Sequence, residues 1–392
     1  MKVKHTYRFY PSEPQKRVLA KTFGCVRVAY NSALKFRSDS FKAGKTVNYN
    51  ASSSALTAQK KTPQYRYLSE VSSIPLQQSL RHLQTAYSNF FAKRAAYPKF
   101  KRREGKQSAE YTLSGFKYDP ANRNLVIARL GRLDVHWSRE FKSIPTTVTV
   151  IRRENGCYFV TLALDETIKP VKKTGREVGI DLGVNRLATL STGERIANPK
   201  FLAKNLVRLK RYQRVLSRRK KGSGRQRRQK LKVARCHAHI ANSRKDHLDK
   251  VTTDLVRRFD VIAIEDLNVR GMVANHCLAR AISDVGMRMF RTMLAYKTVW
   301  YGKELRVADR FFPSSKRCHK CGWISESMPL SVREWTCCKC GVRHDRDLNA
   351  SHNILAVGQT VTGQGGKVRR TRTSVRERIS RRAVNQPALE CV

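Results

Sequence analysis

EVGIDLGV, residues 177–184, decides how the chain reads. Val178, Ile180, Leu182 and Val184 alternate along one face of a strand, so Asp181 points to the other, between Gly179 and Gly183. Two residues without side chains beside an acid leave room for a metal ion and a phosphate to approach the backbone. RLATLSTG, residues 186–193, follows so closely that the two strands must run antiparallel. Further on, VIAIEDL (261–267) is a short buried strand. Its alternation sends Glu265 and Asp266 to opposite faces, so one of them can join Asp181. A third acid comes from HDRDLNASHNI (344–354), where Asp345 or Asp347 opens a helix ending near Val357. An acid at that position is also a good helix cap.

The order of elements carries more than any one acid. Two antiparallel strands, a long helical excursion, a strand, a helix (287–301), a strand (304–310) and a last helix are the succession of an RNase H-like α/β domain, with acids on the first strand, the later central strand and the last helix. Three converging carboxylates repel one another unless divalent cations neutralise them, and oxygen ligands in that number suit Mg²⁺ or Mn²⁺. Such a site expects phosphodiester hydrolysis. Nothing comparable supports a serine or cysteine nucleophile.

Ten cysteines are present, five of them between Cys318 and Cys340 and the others scattered singly, which reads as one metal site plus reduced thiols. Cys318-x-x-Cys321 and, fifteen residues on, Cys337-x-x-Cys340 have the spacing of a four-thiolate structural zinc site. Cys338 falls outside the pattern. His319 and His344 are conceivable ligands, but four thiolates already close a tetrahedron. Cys340 precedes Asp347 by seven residues, so the knuckle is expected to fix the entry to the last helix.

The surrounding composition names a partner class. With 80 Lys and Arg against 29 Asp and Glu, the formal charge of +51 exceeds what solubility needs and calls for a polyanion. The cations run through the whole chain, and no 18-residue apolar stretch or cleavable leader appears, so nucleic acid is favoured over a membrane surface and a cytoplasmic, nucleoid-associated location is expected. Between Lys200 and Arg235 sixteen Lys or Arg stand with no acid, and Gly222-Ser223-Gly224 splits this run into a helical hairpin suited to lie against phosphates. Ahead of it, a strand (1–10) precedes mainly helical residues 11–95. Short β-rich runs then read as a small barrel that the first strand completes, and 169–175 is a linker. The basic tail, Lys367 to Arg382, is expected to be disordered or to order on RNA or DNA.

At YRFYPSEPQKRVLAKTFGCVRVAYN, LQQSLRHLQTAYSNFF, GIDLGVNRLATLSTGE, LSRRKKGS, IAIEDL, FFPSSKRCHKCG and WTCCKCGVRHDRDLNASHNI the chain resembles the TnpB (OrfB) family, transposon-encoded relatives of type V CRISPR effectors. The match runs over residues 5–357. The resemblance implies an RNA-guided endonuclease that cuts double-stranded DNA beside a short flanking motif, using a guide RNA from the transposon end, with one protein chain per RNA. It implies a wedge barrel (1–10 and 96–170) interrupted by a helical recognition domain (11–95), and a RuvC-type nuclease domain (171–312 and 343–358) interrupted by a zinc knuckle (313–342); the basic tail (359–392) is not covered by the resemblance. Carried over by motif, Asp181, Glu265 and Asp347 are catalytic and hold magnesium. Cys318, Cys321, Cys337 and Cys340 hold zinc, and Gln77 is a candidate reader of the flanking motif. Competing readings are an RNase H-like transposase that joins strands and a non-cleaving RNA-guided repressor.

Overall fold

The structure is a computed structural model that describes residues 2–141, 143–329 and 331–360. The basic tail beyond 360, with Cys391, lies outside the described residues. The described chain divides into two units, the first made of residues 2–171, 200–251 and 300–302 and the second of 172–199, 252–299 and 303–360.

In the first unit, β1 (Lys2–Phe9) leads into three helices, α1 (Glu13–Lys42), α2 (Tyr49–Lys61) and α3 (Ser73–Phe91). The long α1 starts at a capping box: Ser12 accepts from the Gln15 amide while the Gln15 side chain accepts from the Ser12 amide. Seven strands follow: β2 (Gln107–Thr112), β3 (Phe116–Asp119), β4 (Asn124–Ile127), β5 (Gly131–Arg132), β6 (Val135–His136), β7 (Thr147–Arg152) and β8 (Tyr158–Asp165). β1 enters the sheet they form, in the order β2-β7-β8-β1-β6, all antiparallel where paired, while β3-β4-β5 make a separate meander. Where the sequence expects a barrel, the ladders of the described residues leave β2 and β6 as edges. β6 contributes two residues, paired with Arg8 and Phe9 alone, too few to close the ring. One continuous core runs from Tyr7 and Phe9 through Leu19, Leu34, Leu76 and Leu83 to Val148 and Leu162.

The second unit is built on another five-stranded sheet. β9 (Glu177–Leu182), β10 (Arg186–Leu190) and β11 (Arg195–Ala197) form an antiparallel meander. The basic hairpin follows, α4 (Phe201–Ser217) and α5 (Gly224–Arg258), turning at Gly222 with φ of 81°. Its residues up to Val251 belong to the first unit, where Leu209, Cys236 and Ile240 form a small apolar contact between the two arms. Then come β12 (Val261–Glu265), α6 (Val269–Ala274), α7 (His276–Val285), α8 (Met287–Tyr301) and β13 (Glu304–Ala308). The sheet order is β11-β10-β9-β12-β13, with β9, β12 and β13 parallel. A two-stranded ribbon, β14 (Glu334–Thr336) with β15 (Arg343–Asp345), leads directly into α9 (Arg346–Thr360).

At the start of the parallel strands Asp260 acts as a clamp. Its carboxylate accepts from the amides of Thr174 and Gly175 at 2.8 and 2.6 Å and from the ammonium of Lys303, whose side chain is fully buried. Lys303 holds its carboxyl down, at about 2.

Candidate active site and thiolate centre

The pairing register brings two acids together before any side chain is considered. Ile180 of β9 is paired with Ile264 of parallel β12, so Asp181 and Glu265, one residue on, stand side by side on the same face. The third acid is set by how α9 lies on that face. A methyl group added to Gly179 would stand 2.0 Å from the Ser351 carbonyl oxygen and 2.7 Å from the Leu355 amide, and one added to Gly358 would stand 2.8 Å from Ala263 Cβ. The helix therefore rests with its backbone against the sheet at Gly179. Asp347, one turn before Ser351, reaches the end of the strands where Asp181 and Glu265 sit. The expectation that Gly179 leaves room for metal and phosphate is corrected: α9 occupies that space.

Electrostatics follow the geometry. Burial pushes the Asp181 carboxyl up to about 8, the charges of Glu265 and Asp347 add to the rise, and Arg346 and Arg333 oppose it. Burial also raises Glu265, against a hydrogen bond donated by the Ser314 hydroxyl. Arg333 reaches Asp347 at 3.6 Å.

The alternatives are occupied elsewhere. Asp266 accepts from Arg291 and, at 2.9 Å, from Arg310, and the Arg291 hydrogen bond above all draws its carboxyl below the ordinary range. Asp345 accepts from the Leu348 amide at 2.9 Å and from Arg195 at 2.7 Å, which makes it the cap of α9.

The four cysteines converge. Sγ atoms of Cys318, Cys321, Cys337 and Cys340 all lie within 4.8 Å of one another, with Cys318 to Cys340 at 3.7 Å and Cys321 to Cys337 at 3.6 Å. A tetrahedral zinc with Zn–S bonds of about 2.3 Å sets its sulfurs about 3.8 Å apart, so the donor set fits that ion. Each Cys-x-x-Cys closes the same way: Gly322 and Gly341, at φ of 76° and 71°, return their amides to the carbonyls of Cys318 and Cys337. Among the described residues this is the group of three or more metal-ligating side chains gathered so closely. The repulsion that Glu265 and Asp347 exert on Asp181 is of the kind a hard divalent cation would relieve. His344 is buried with Nε2 3.1 Å from Cys318 Sγ. His319 instead meets Asn349.

Sequence reasoning passed over the residues that join the two centres. Asn349 of α9 donates to the Arg317 carbonyl at 2.7 Å and accepts from the His319 amide at 3.0 Å. Asn353 donates to the carbonyls of Ser314 and Arg317 at 2.8 and 2.6 Å. Arg346 donates to the Pro329 carbonyl at 2.7 Å. Thus α9 carries Asp347 at its start and grips the segment before Cys318 along its length. The faint signal was two asparagines four residues apart in a helix, a type more at home in caps and turns.

In the first unit Gln77 lies near the start of α3, and its Oε1 accepts from Tyr49 and Ser53, each at 3.1 Å. The pair of donors on one oxygen leaves the amide nitrogen to donate to whatever approaches.

A strongly basic chain with a mixed sheet, three neighbouring acids and a closed thiolate centre has the features of a nucleic-acid-binding protein. Family models match residues 1–46 ("Helix-turn-helix domain"), 144–276 (OrfB_IS605, "Probable transposase") and 288–354 ("Cas12f1-like, TNB domain"). A protein of Streptomyces pristinaespiralis named "Putative RNA-guided DNA endonuclease" is 49% identical over 97% of this chain and 94% of its own. One from Escherichia coli K12 with the same name and the suffix InsQ is 34% identical over 92% and 94%. The fold resembles that in a cryo-EM structure of a Cas12f1-sgRNA-target DNA complex, with TM-score 0.56, 14% identity, and coverage of 90% of this chain and 98% of that one. The chain belongs to the TnpB (OrfB) family.

Proposed function

We propose that this protein is an RNA-guided endonuclease that cuts double-stranded DNA beside a short flanking motif, through an RNase H-like, RuvC-type site of Asp181, Glu265 and Asp347. The observation that carries the reading is the register: Asp181 and Glu265 adjacent on parallel strands, with Asp347 brought over them by the glycine-seated helix. Two Mg²⁺ or Mn²⁺ ions held by these carboxylates would supply an activated water and stabilise the leaving oxygen. The residues of the chain do the positioning. Ser314 orients Glu265, Arg333 offsets charge at Asp347, and burial makes the carboxylates poor at standing together without cations. The thiolate zinc is structural, holding the loop that α9 grips.

The relatives' names and the charge of +51 support guide RNA and target DNA as partners. Base pairing with the guide would supply sequence specificity, leaving the protein to bind backbone through surfaces such as α4–α5. Gln77, with its free amide donors, is proposed to read the flanking motif. The word transposase in one family description favours a second reading, strand transfer by the same acids. The test is a DNA duplex carrying guide match and flanking motif, incubated with the RNA-bound protein in Mg²⁺ or EDTA. Double-strand breaks in Mg²⁺ alone are expected. Joined products would favour the second reading, and cutting by Asp181→Ala or in EDTA would refute the site.

A further inference from the structure

Beside the sheet of the first unit lies a cavity of about 630 Å³ that none of these roles uses. Three half-buried aromatic rings line it. Tyr118 and Phe141 stack with centroids 5.3 Å apart at 26°, and Trp137 stands 5.7 Å from Phe141, braced from beneath by buried Tyr7 at 4.9 Å. Its polar lining includes Arg139, Ser143 and Asp165. The Ser143 hydroxyl oxygen is shut off from solvent and has no hydrogen-bond partner. That oxygen is enclosed by the lining, so the surface the cavity offers a ligand is its aromatic wall and its charged rim.

We propose that this cavity receives one unstacked nucleobase, and, resting on the guided reading above, that the base belongs to the bound RNA. Aromatic faces accept any base by stacking, and a splayed RNA base is then read along its edges. The volume is that of a small-ligand pocket and suits a single nucleotide. A lipid chain would find no use for the polar lining. Acidic groups are scarce in this chain, yet Glu140, Asp165 and Glu166 all border the cavity, with Glu140 tied to Arg123 at 2.5 Å. Carboxylate acceptors favour a base whose edge donates, guanine foremost through its N1–H and N2 amino groups. Arg139 supplies a cation for the attached phosphate.

The test uses the full-length protein, with and without its copurifying RNA. Ultraviolet crosslinking should join the segment 118–143 to one nucleotide of that RNA. Phe141→Leu should abolish the crosslink and weaken RNA binding by roughly 5- to 150-fold, the effect of one lost stack. Ser143→Ala breaks no internal hydrogen bond. It should melt no lower than wild type and leave RNA binding unchanged, since the enclosed hydroxyl does not meet the base. A cavity that is merely a packing gap would leave RNA affinity unchanged in Phe141→Leu and give no crosslink, which overturns the proposal. Free guanosine monophosphate should quench Trp137 fluorescence in the RNA-free protein more strongly than the other three nucleoside monophosphates, and Trp137→Phe should remove the signal. Equal quenching by all four would overturn the reading of the base edge. Quenching that RNA cannot compete away would assign the same chemistry to a free nucleotide. Failure to cut DNA, with crosslink and quenching intact, would refute the proposed function and leave this site standing.

Discussion

Gly179→Ala should be among the most damaging single-methyl changes in the second unit. The new Cβ would lie 2.0 Å from a backbone carbonyl oxygen of α9, and contacts under 3.0 Å are essentially never tolerated. No rotamer change relieves it, because the obstacle at Ser351 is main chain, so the helix must retreat by about 1 Å, the difference between those two distances. Overpacking of this kind costs about 1–3 kcal/mol, and a rigid obstacle puts the cost near the top of that range. For a unit of this size a loss of about 3 kcal/mol lowers the melting temperature by roughly 6–12 °C. Asp347 rides on the same helix one turn away, and a misplacement of about 1 Å typically slows catalysis about 100-fold. The assay pairs thermal unfolding with single-turnover cleavage below the melting range. Gly358→Ala is the contrast: its obstacle is the Cβ of Ala263, so Ala263→Gly should restore it, whereas Leu355→Ala should not restore Gly179→Ala. Wild-type melting and cutting by Gly179→Ala would refute the seating of α9 on the strand and the placement of Asp347 that depends on it.

Other expectations follow from the same centre. Asp345→Ala should cost stability through the lost cap, about 1 kcal/mol, with cleavage largely kept, whereas Asp347→Asn should abolish cleavage and keep the fold; rates and melts separate the two. Asp181 has its folded pKa raised to about 8, so in metal-free protein the folded state holds a proton that the unfolded chain gives up above about pH 4. Stability is therefore lost as pH rises from 4 to 8, and Asp181→Asn should melt higher than wild type in EDTA at pH 8, with the gain vanishing near pH 4. Cys340→Ser should release about one zinc per chain, read by elemental analysis, and lower cleavage while melting α9 away from its neighbours; full activity in the metal-free variant would remove the knuckle from the mechanism.

What the sequence disclosed depended on whether a residue's neighbours were local. The alternation in VIAIEDL separated Glu265 from Asp266, and the structure has Glu265 beside Asp181 while Asp266 is engaged by two arginines. The spacing of the four cysteines likewise reads directly, since ligands two residues apart with a glycine after them form a local turn. Gly179 was harder. A glycine in a strand announces that something comes close, and the sequence does not say whether that is a phosphate or a helix 172 residues downstream at Ser351. Asn349 and Asn353 were illegible for the same reason, being polar residues buried only because a loop folds over them. The sheet containing β1 was foreshadowed by runs of alternating residues, but closure depends on edge lengths, and two residues in β6 leave no pattern to read.

The grip of Asn349 and Asn353 on the chain around Cys318 would make a cation at the carboxylates and a zinc at the thiolates partners in a thermodynamic sense. Whatever steadies α9 from its Asp347 end lowers the cost of ordering the segment that presents the first pair of thiolates, and the reverse holds equally. With both sites loaded, linkage would demand reciprocity at equilibrium: a divalent cation at the carboxylates would raise the affinity for zinc against a chelator, and by the same factor zinc would raise the affinity for that cation. An oxidant that attacks the thiolates would in this way weaken cation binding at the carboxylates without touching any acid.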